Sequence, residues 1–104
     1  MEFQFKSMVK NTIPLDMLDY KIIEEVREYE NSMKCIIIKN MHPDFTLLLG
    51  SISLIISEKG SPLSHLAIMA REYGIPVVLI PGITSEIPKQ GSLSINEEVV
   101  KFEK

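Results

Sequence analysis

The sequence predicts an α/β fold, a mixed sheet with helices packed on one side, from three observations. Apolar runs rich in β-branched residues occur at 33–38, 52–56 and 77–80, each short enough to be a buried strand. Between them, apolar residues recur at helical spacing. At both ends of the chain apolar and polar residues alternate instead, as in antiparallel strands.

Each element follows from its residues. Phe3 and Phe5 alternate with polar neighbours and predict a short first strand, and 11–14 is a turn. Leu15, Leu18, Ile22, Val26 and Tyr29 then fit one face of an amphipathic helix, which ends near Asn31 and Ser32. After the strand at 33–38, Pro43 and Asp44 open a second helix with Phe45, Leu48 and Leu49 inward, and Gly50 stops it. The strand at 52–56 leads to the break Gly60, Ser61, Pro62. Leu66, Met69, Ala70 and Tyr73 mark the inner face of a third helix. Gly74 suits a positive-φ stop there, and Pro76 prevents continuation. The strand at 77–80 is followed by Pro81 and Gly82, and 92–102 reads as a hairpin about Asn96 and Glu97. Strands joined by helical crossovers require a parallel or mixed sheet.

The 104 residues are expected to form a single domain, 1–104, able to bury a core without a disulfide or metal. A formal net charge of −3, with Lys and Arg scattered, argues against nucleic acid as a partner. Cys35 is the single cysteine, so no intrachain disulfide can form, and a reducing compartment fits. The first six residues lack the apolar core of a signal peptide. The apolar stretch 45–56 is too short to span a bilayer and is interrupted by Gly50, Ser51 and Ser53. A cytoplasmic location without membrane contact is the expectation.

Chemistry concentrates in 60–78. His65 lies at or within the first turn of a helix, after a strand and a glycine turn. A helix start carries about half a positive charge and several unpaired N–H groups. It disfavours a cationic ring and favours a dianionic phosphoryl group on that ring. Two caps are possible: Ser61 with Pro62 first in the helix, or Ser64 with His65 first. An ordinary capping or surface histidine would fit the same place. His42 has no partner at metal-ligand spacing and reads as a loop residue. The methionines, Met41 included, read as core filler or surface. Glu72 reads as a solvated or paired carboxylate and Tyr73 as core.

Gly60, Ser64, His65, Ala67, Ile68, Ala70, Arg71, Glu72, Gly74, Ile75 and Pro76, in that order and spacing, closely resemble the mobile phosphohistidine domain of phosphoenolpyruvate-utilising enzymes. Pyruvate phosphate dikinase, phosphoenolpyruvate synthase and rifampicin phosphotransferase carry such domains. The resemblance runs from about Met33 to the C-terminus. It departs at Ser61, where the family has a second glycine, and at Leu63, where the dikinases have threonine.

The resemblance implies a swivelling β/β/α fold and a carrier role. His65 would accept a phosphoryl group and pass it between partner active sites, in ping-pong fashion. Gly60, Ser61, Ser64 and Arg71 would form or support the phosphate loop. Arg71, six residues on, is off the His65 stripe and would meet a phosphate only through the fold; a surface salt bridge is its other reading. The chain itself would bind no cofactor. Mg-ATP or phosphoenolpyruvate is expected on partners in trans: an ATP-grasp-type nucleotide-binding protein, a phosphoenolpyruvate- or pyruvate-binding barrel protein, or both. On this reading the chain is a phosphotransferase component, incomplete alone. The alternative is a non-catalytic binding or regulatory module that keeps the fold.

Overall fold

A computed structural model describes residues 2–4, 6–7, 15–96 and 99–103. The turn expected at 11–14 and the residues Phe5, Met8, Glu97 and Glu98 lie outside the described residues. The strands are β1 (Glu2–Gln4), β2 (Lys6–Ser7), β3 (Leu15–Ile22), β4 (Cys35–Ile38), β5 (Leu54–Ser57), β6 (Val77–Leu79), β7 (Gln90–Ile95) and β8 (Val99–Glu103). They form one mixed sheet in the order β1-β8-β7-β3-β4-β5-β6-β2. β3 to β6 run parallel to one another, whereas β7, β8, β1 and β2 pair antiparallel.

β1 and β2 occupy opposite ends of that order, yet Gln4 and Lys6 are separated by a single residue. Two backbone steps span at most about 7 Å, so the sheet must curl until its edges nearly meet. The curl creates two apolar compartments from strands that alternate sides. Cys35, Ile37, Leu54, Ile56 and Val78 point inward with Tyr20, Leu93, Ile95, Val100 and Phe102. There Phe102 meets Phe3 and Tyr20 edge-to-face, with ring centroids 5.6 and 5.3 Å apart. Ile36, Ile38, Ile55 and Val77 point outward, where Phe45, Leu48, Leu49, Leu66 and Ala70 cover them. The helical segments at 43–48 and 65–72 therefore pack on one side, as expected, and the α/β class holds; the 3-10 turn Ile83–Ser85 instead adds Ile83 to the inward cluster. Among the described residues no helix is long and apolar enough to cross a membrane.

The amphipathic helix expected at 15–29 does not form. Its place is taken by β3 and a 3-10 turn, Val26–Glu28. The apolar pair Leu18 and Ile22 is four apart, which fits period two as well as period 3.6, and Tyr20 midway completes the strand reading. As a strand the segment gains β7 on one edge and β4 on the other. Met17, exposed with φ +53, sits where the β3–β7 register shifts, a bulge. The expected helix at 43–50 is a 3-10 segment, Pro43–Leu48, with Phe45 and Leu48 buried as foreseen. The C-terminal hairpin pairs Ile95 with Val100, and Asn96 N–H donates to the Val99 carbonyl at 2.9 Å.

Candidate functional site

The site is built where β5 ends. Beyond Ser57 the backbone stays beside the segment after β4: Glu58 N–H donates to the Ile38 carbonyl at 2.9 Å and Lys59 N–H to the Lys39 carbonyl at 3.1 Å. The buried Ser57 hydroxyl donates to the Lys59 carbonyl at 2.6 Å. Gly60 follows with φ +150. A side chain there would meet Met41, its Cβ falling 2.2 Å from Sδ. The absence of a Cβ thus lets the loop press against Met41.

Ser61 tightens the turn. Its hydroxyl oxygen accepts from Leu63 N–H at 3.1 Å and its carbonyl from Ser64 N–H at 3.0 Å. Of the two possible caps, Ser64 is the one used: its Oγ accepts from Ala67 N–H at 3.2 Å. α1 (His65–Glu72) therefore begins at His65 itself. Leu66, Ala67 and Ala70 anchor the helix on the sheet. At its far end Gly74, φ +72, donates to the Arg71 carbonyl, and Ile75 N–H to the Ala70 carbonyl at 2.8 Å. That pair of bonds is a Schellman stop. Both ends of α1 are thus fixed by side chain or glycine, which holds its first residue in place.

His65 is exposed and its ring has no polar partner among the described residues. Ala67 N–H is capped and Ile68 N–H donates to the Ser64 carbonyl. No partner appears for the N–H groups of His65 and Leu66 among the described residues. The ring is flanked in sequence by exposed apolar side chains, Leu63 at 83% and Ile68 at 43%. An accessible imidazole beside unpaired amide donors can act as a nucleophile toward phosphorus and then neighbour the charge it acquires.

The fold brings Gly60, Ser61 and Ser64 to the His65 end of α1. Arg71 stays apart: it is exposed, without an ion pair among the described residues, and roughly 9 Å farther along the helix axis. Tyr73, expected in the core, is 57% exposed, because it follows the last helical residue at the turn into Gly74. His42 is exposed and caps the 3-10 segment, its Nδ1 accepting from Asp44 N–H at 3.1 Å. No group of three potential ligands gathers for a metal among the described residues. Cys35 is fully buried, and burial pushes its thiol pKa well up.

Sequence reasoning missed Met41. It touches Gly60 and accepts from the Ser64 hydroxyl at 3.6 Å. Nothing in the spacing of Met41, Gly60 and Ser64 announces the contact; the parallel pairing of β4 with β5 creates it. On the same rim, a cleft of about 500 Å³ lies at the carboxyl ends of β3 and β4, lined by Glu24, Glu28, Lys39, Thr84 and Lys89 among others. Thr84 is tied there by Glu58, whose carboxylate accepts from its N–H and its hydroxyl, both at 2.8 Å.

Comparison with known proteins is consistent with this geometry. A family model described as PEP-utilising enzyme, mobile domain, matches residues 32–96. The chain is 36% identical over 75 residues to the uncharacterized phosphotransferase YvkC of Bacillus subtilis, covering 70% of this chain and 9% of that protein. It is 38% identical over 53 residues to chondramide synthase cmdD of Chondromyces crocatus, covering 51% of this chain and 1% of that protein. The chain thus spans less than a tenth of the length of either relative. The solution NMR structure of a UPF0107 protein shares the fold, with a TM-score of 0.67 at 11% identity and both chains fully covered.

Proposed function

Because the chain belongs to the PEP-utilising enzyme mobile-domain family, we propose that it is a phosphohistidine carrier whose acceptor is His65. The observation that carries this reading is an exposed ring at the first position of α1, beside two amide donors without a partner among the described residues. In the loading step an imidazole nitrogen attacks phosphorus in line with its own lone pair, forming an N–P bond. The bond from phosphorus to the leaving oxygen of ATP or phosphoenolpyruvate breaks, and the ring's other nitrogen sheds its proton to solvent. The unpaired N–H groups and the positive end of α1 lower the energy of the charge received. Unloading reverses these bonds toward a second acceptor, so one transfer becomes two.

Donor and acceptor sites belong to a nucleotide-binding partner of ATP-grasp type, a phosphoenolpyruvate- or pyruvate-binding barrel, or both, each a separate domain or subunit. Exposure of the ring favours this role over a purely regulatory module, which has no need of an accessible imidazole. The test is incubation with such a nucleotide-binding partner and ATP carrying labelled phosphoryl groups. The expected result is a base-stable, acid-labile label that His65→Ala abolishes. The same label retained in that variant would refute the assignment.

A further inference from the structure

We propose that Met41 is a positioning residue for the acceptor: its thioether holds the Ser64 hydroxyl proton while His65 is unloaded and releases it to the phosphoryl group once His65 is loaded. The inference rests on the carrier reading above and specifies how the loop next to His65 responds to its cargo.

The Ser64 hydroxyl has one proton to donate and two lone pairs. One lone pair is engaged by Ala67 N–H at 3.2 Å, which fixes the oxygen at the helix start. The proton is directed to Met41 Sδ at 3.6 Å. A thioether sulfur is a weak acceptor, whereas a phosphoryl oxygen is charged and a far stronger one. Turning the hydroxyl about Cβ–Oγ re-aims the proton without disturbing the Ala67 bond. The exchange therefore gives up only the weak partner. Met41 is held to its task by the other side of the loop, since Sδ and Cγ would lie 2.2 and 2.7 Å from any Cβ at residue 60. The same side chain thus touches the loop before and after the turn at Ser61.

A weak acceptor has a consequence for the loading balance. With no acceptor, the proton of the half-buried hydroxyl would lack a partner in the unloaded state only, while the Ala67 bond remained, and loading would be favoured. With a strong acceptor, the proton would be retained and loading would be disfavoured.

The experiment uses phosphoramidate as donor, so that no protein partner is needed. Its P–N bond breaks, the N–P bond to His65 forms, and ammonia departs with the proton. The ratio of loaded to unloaded chain is read by phosphorus NMR at fixed phosphoramidate and fixed ammonia, since the exchange balances between the two. Met41→Leu keeps the volume without the acceptor, and the ratio is expected to rise about two- to fivefold. Met41→Gln supplies a strong acceptor and is expected to lower it. Simple damage to the loop would lower it in both variants. In a Ser64→Ala background both shifts should vanish. If the wild-type chain loads at His65 but the two Met41 variants shift together, or not at all, the inference fails and the carrier reading stands. If the wild-type signal persists in His65→Ala, the carrier reading falls and this inference with it.

Discussion

Gly60→Ala probes the loop geometry most sharply. Residue 60 has φ +150, and an L side chain held in such a region costs about 1–3 kcal/mol. The new Cβ would also lie 2.2 Å from Met41 Sδ and 2.7 Å from Cγ, so the methionine must swing away. That loss of packing adds about 1 kcal/mol. The sum, about 2–4 kcal/mol, corresponds to a fall in Tm of about 10–30 °C for a domain of this size. Thermal and urea unfolding of wild type, Gly60→Ala, Met41→Ala and the double variant separate the two contributions. In the Met41→Ala background only the backbone part should remain, leaving a coupling of about 1 kcal/mol between the sites. A Gly60→Ala protein melting within about 2 °C of wild type would refute both the strain and the overlap.

Three further outcomes follow from burial and hydrogen bonding. Leu66 is fully buried where α1 meets the sheet, so Leu66→Ala should cost about 2–5 kcal/mol in urea unfolding; a change below about 1 kcal/mol would mean that α1 is not anchored there. Cys35 is buried in the sheet interior with its pKa pushed up, so a thiol reagent should label it in denaturant and not in the native protein. Rapid native labelling would contradict its placement. Glu28 accepts from the N–H groups of Glu24 and Glu25 at 2.8 and 2.7 Å, and these bonds hold its pKa below the ordinary glutamate value. Since the folded value is the lower one, its stabilising effect is present above the ordinary glutamate range and is lost as pH falls through the folded value. The amide signals of Glu24 and Glu25 should shift across that acid range in wild type and stay fixed in Glu28→Gln.

What the sequence made legible was local. The runs at β4, β5 and β6 are rich in β-branched residues and, apart from half-buried Leu79, buried on both faces, and continuous apolarity announces such strands. α1 carries its own punctuation, Ser64 before and Gly74 after, and those residues do in three dimensions what their chemistry foretells. Residues 15–29 misled because a spacing of four serves both periods, and tertiary pairing with β4 and β7 decided between them. Tyr73 shared the helical spacing of core residues but lies past the last turn, where the chain leaves the sheet. The closure of the sheet depends on β1 and β2 reaching opposite edges, a long-range outcome that no local pattern encodes. Met41 belongs to the same class. Its contacts span the gap from one parallel strand to the next, and a methionine carries no signal of what it touches.

The most direct measurement localises the phosphoryl group. Trypsin places the two histidines on different peptides, His65 on Gly60 to Arg71 and His42 on Asn40 to Lys59. After loading by a nucleotide-binding partner and digestion under alkaline conditions, mass spectrometry should find the phosphoryl group on the first peptide, at the imidazole. A phosphoryl group on the His42 peptide instead, or none on the His65 peptide while the partner is demonstrably active, would contradict the account.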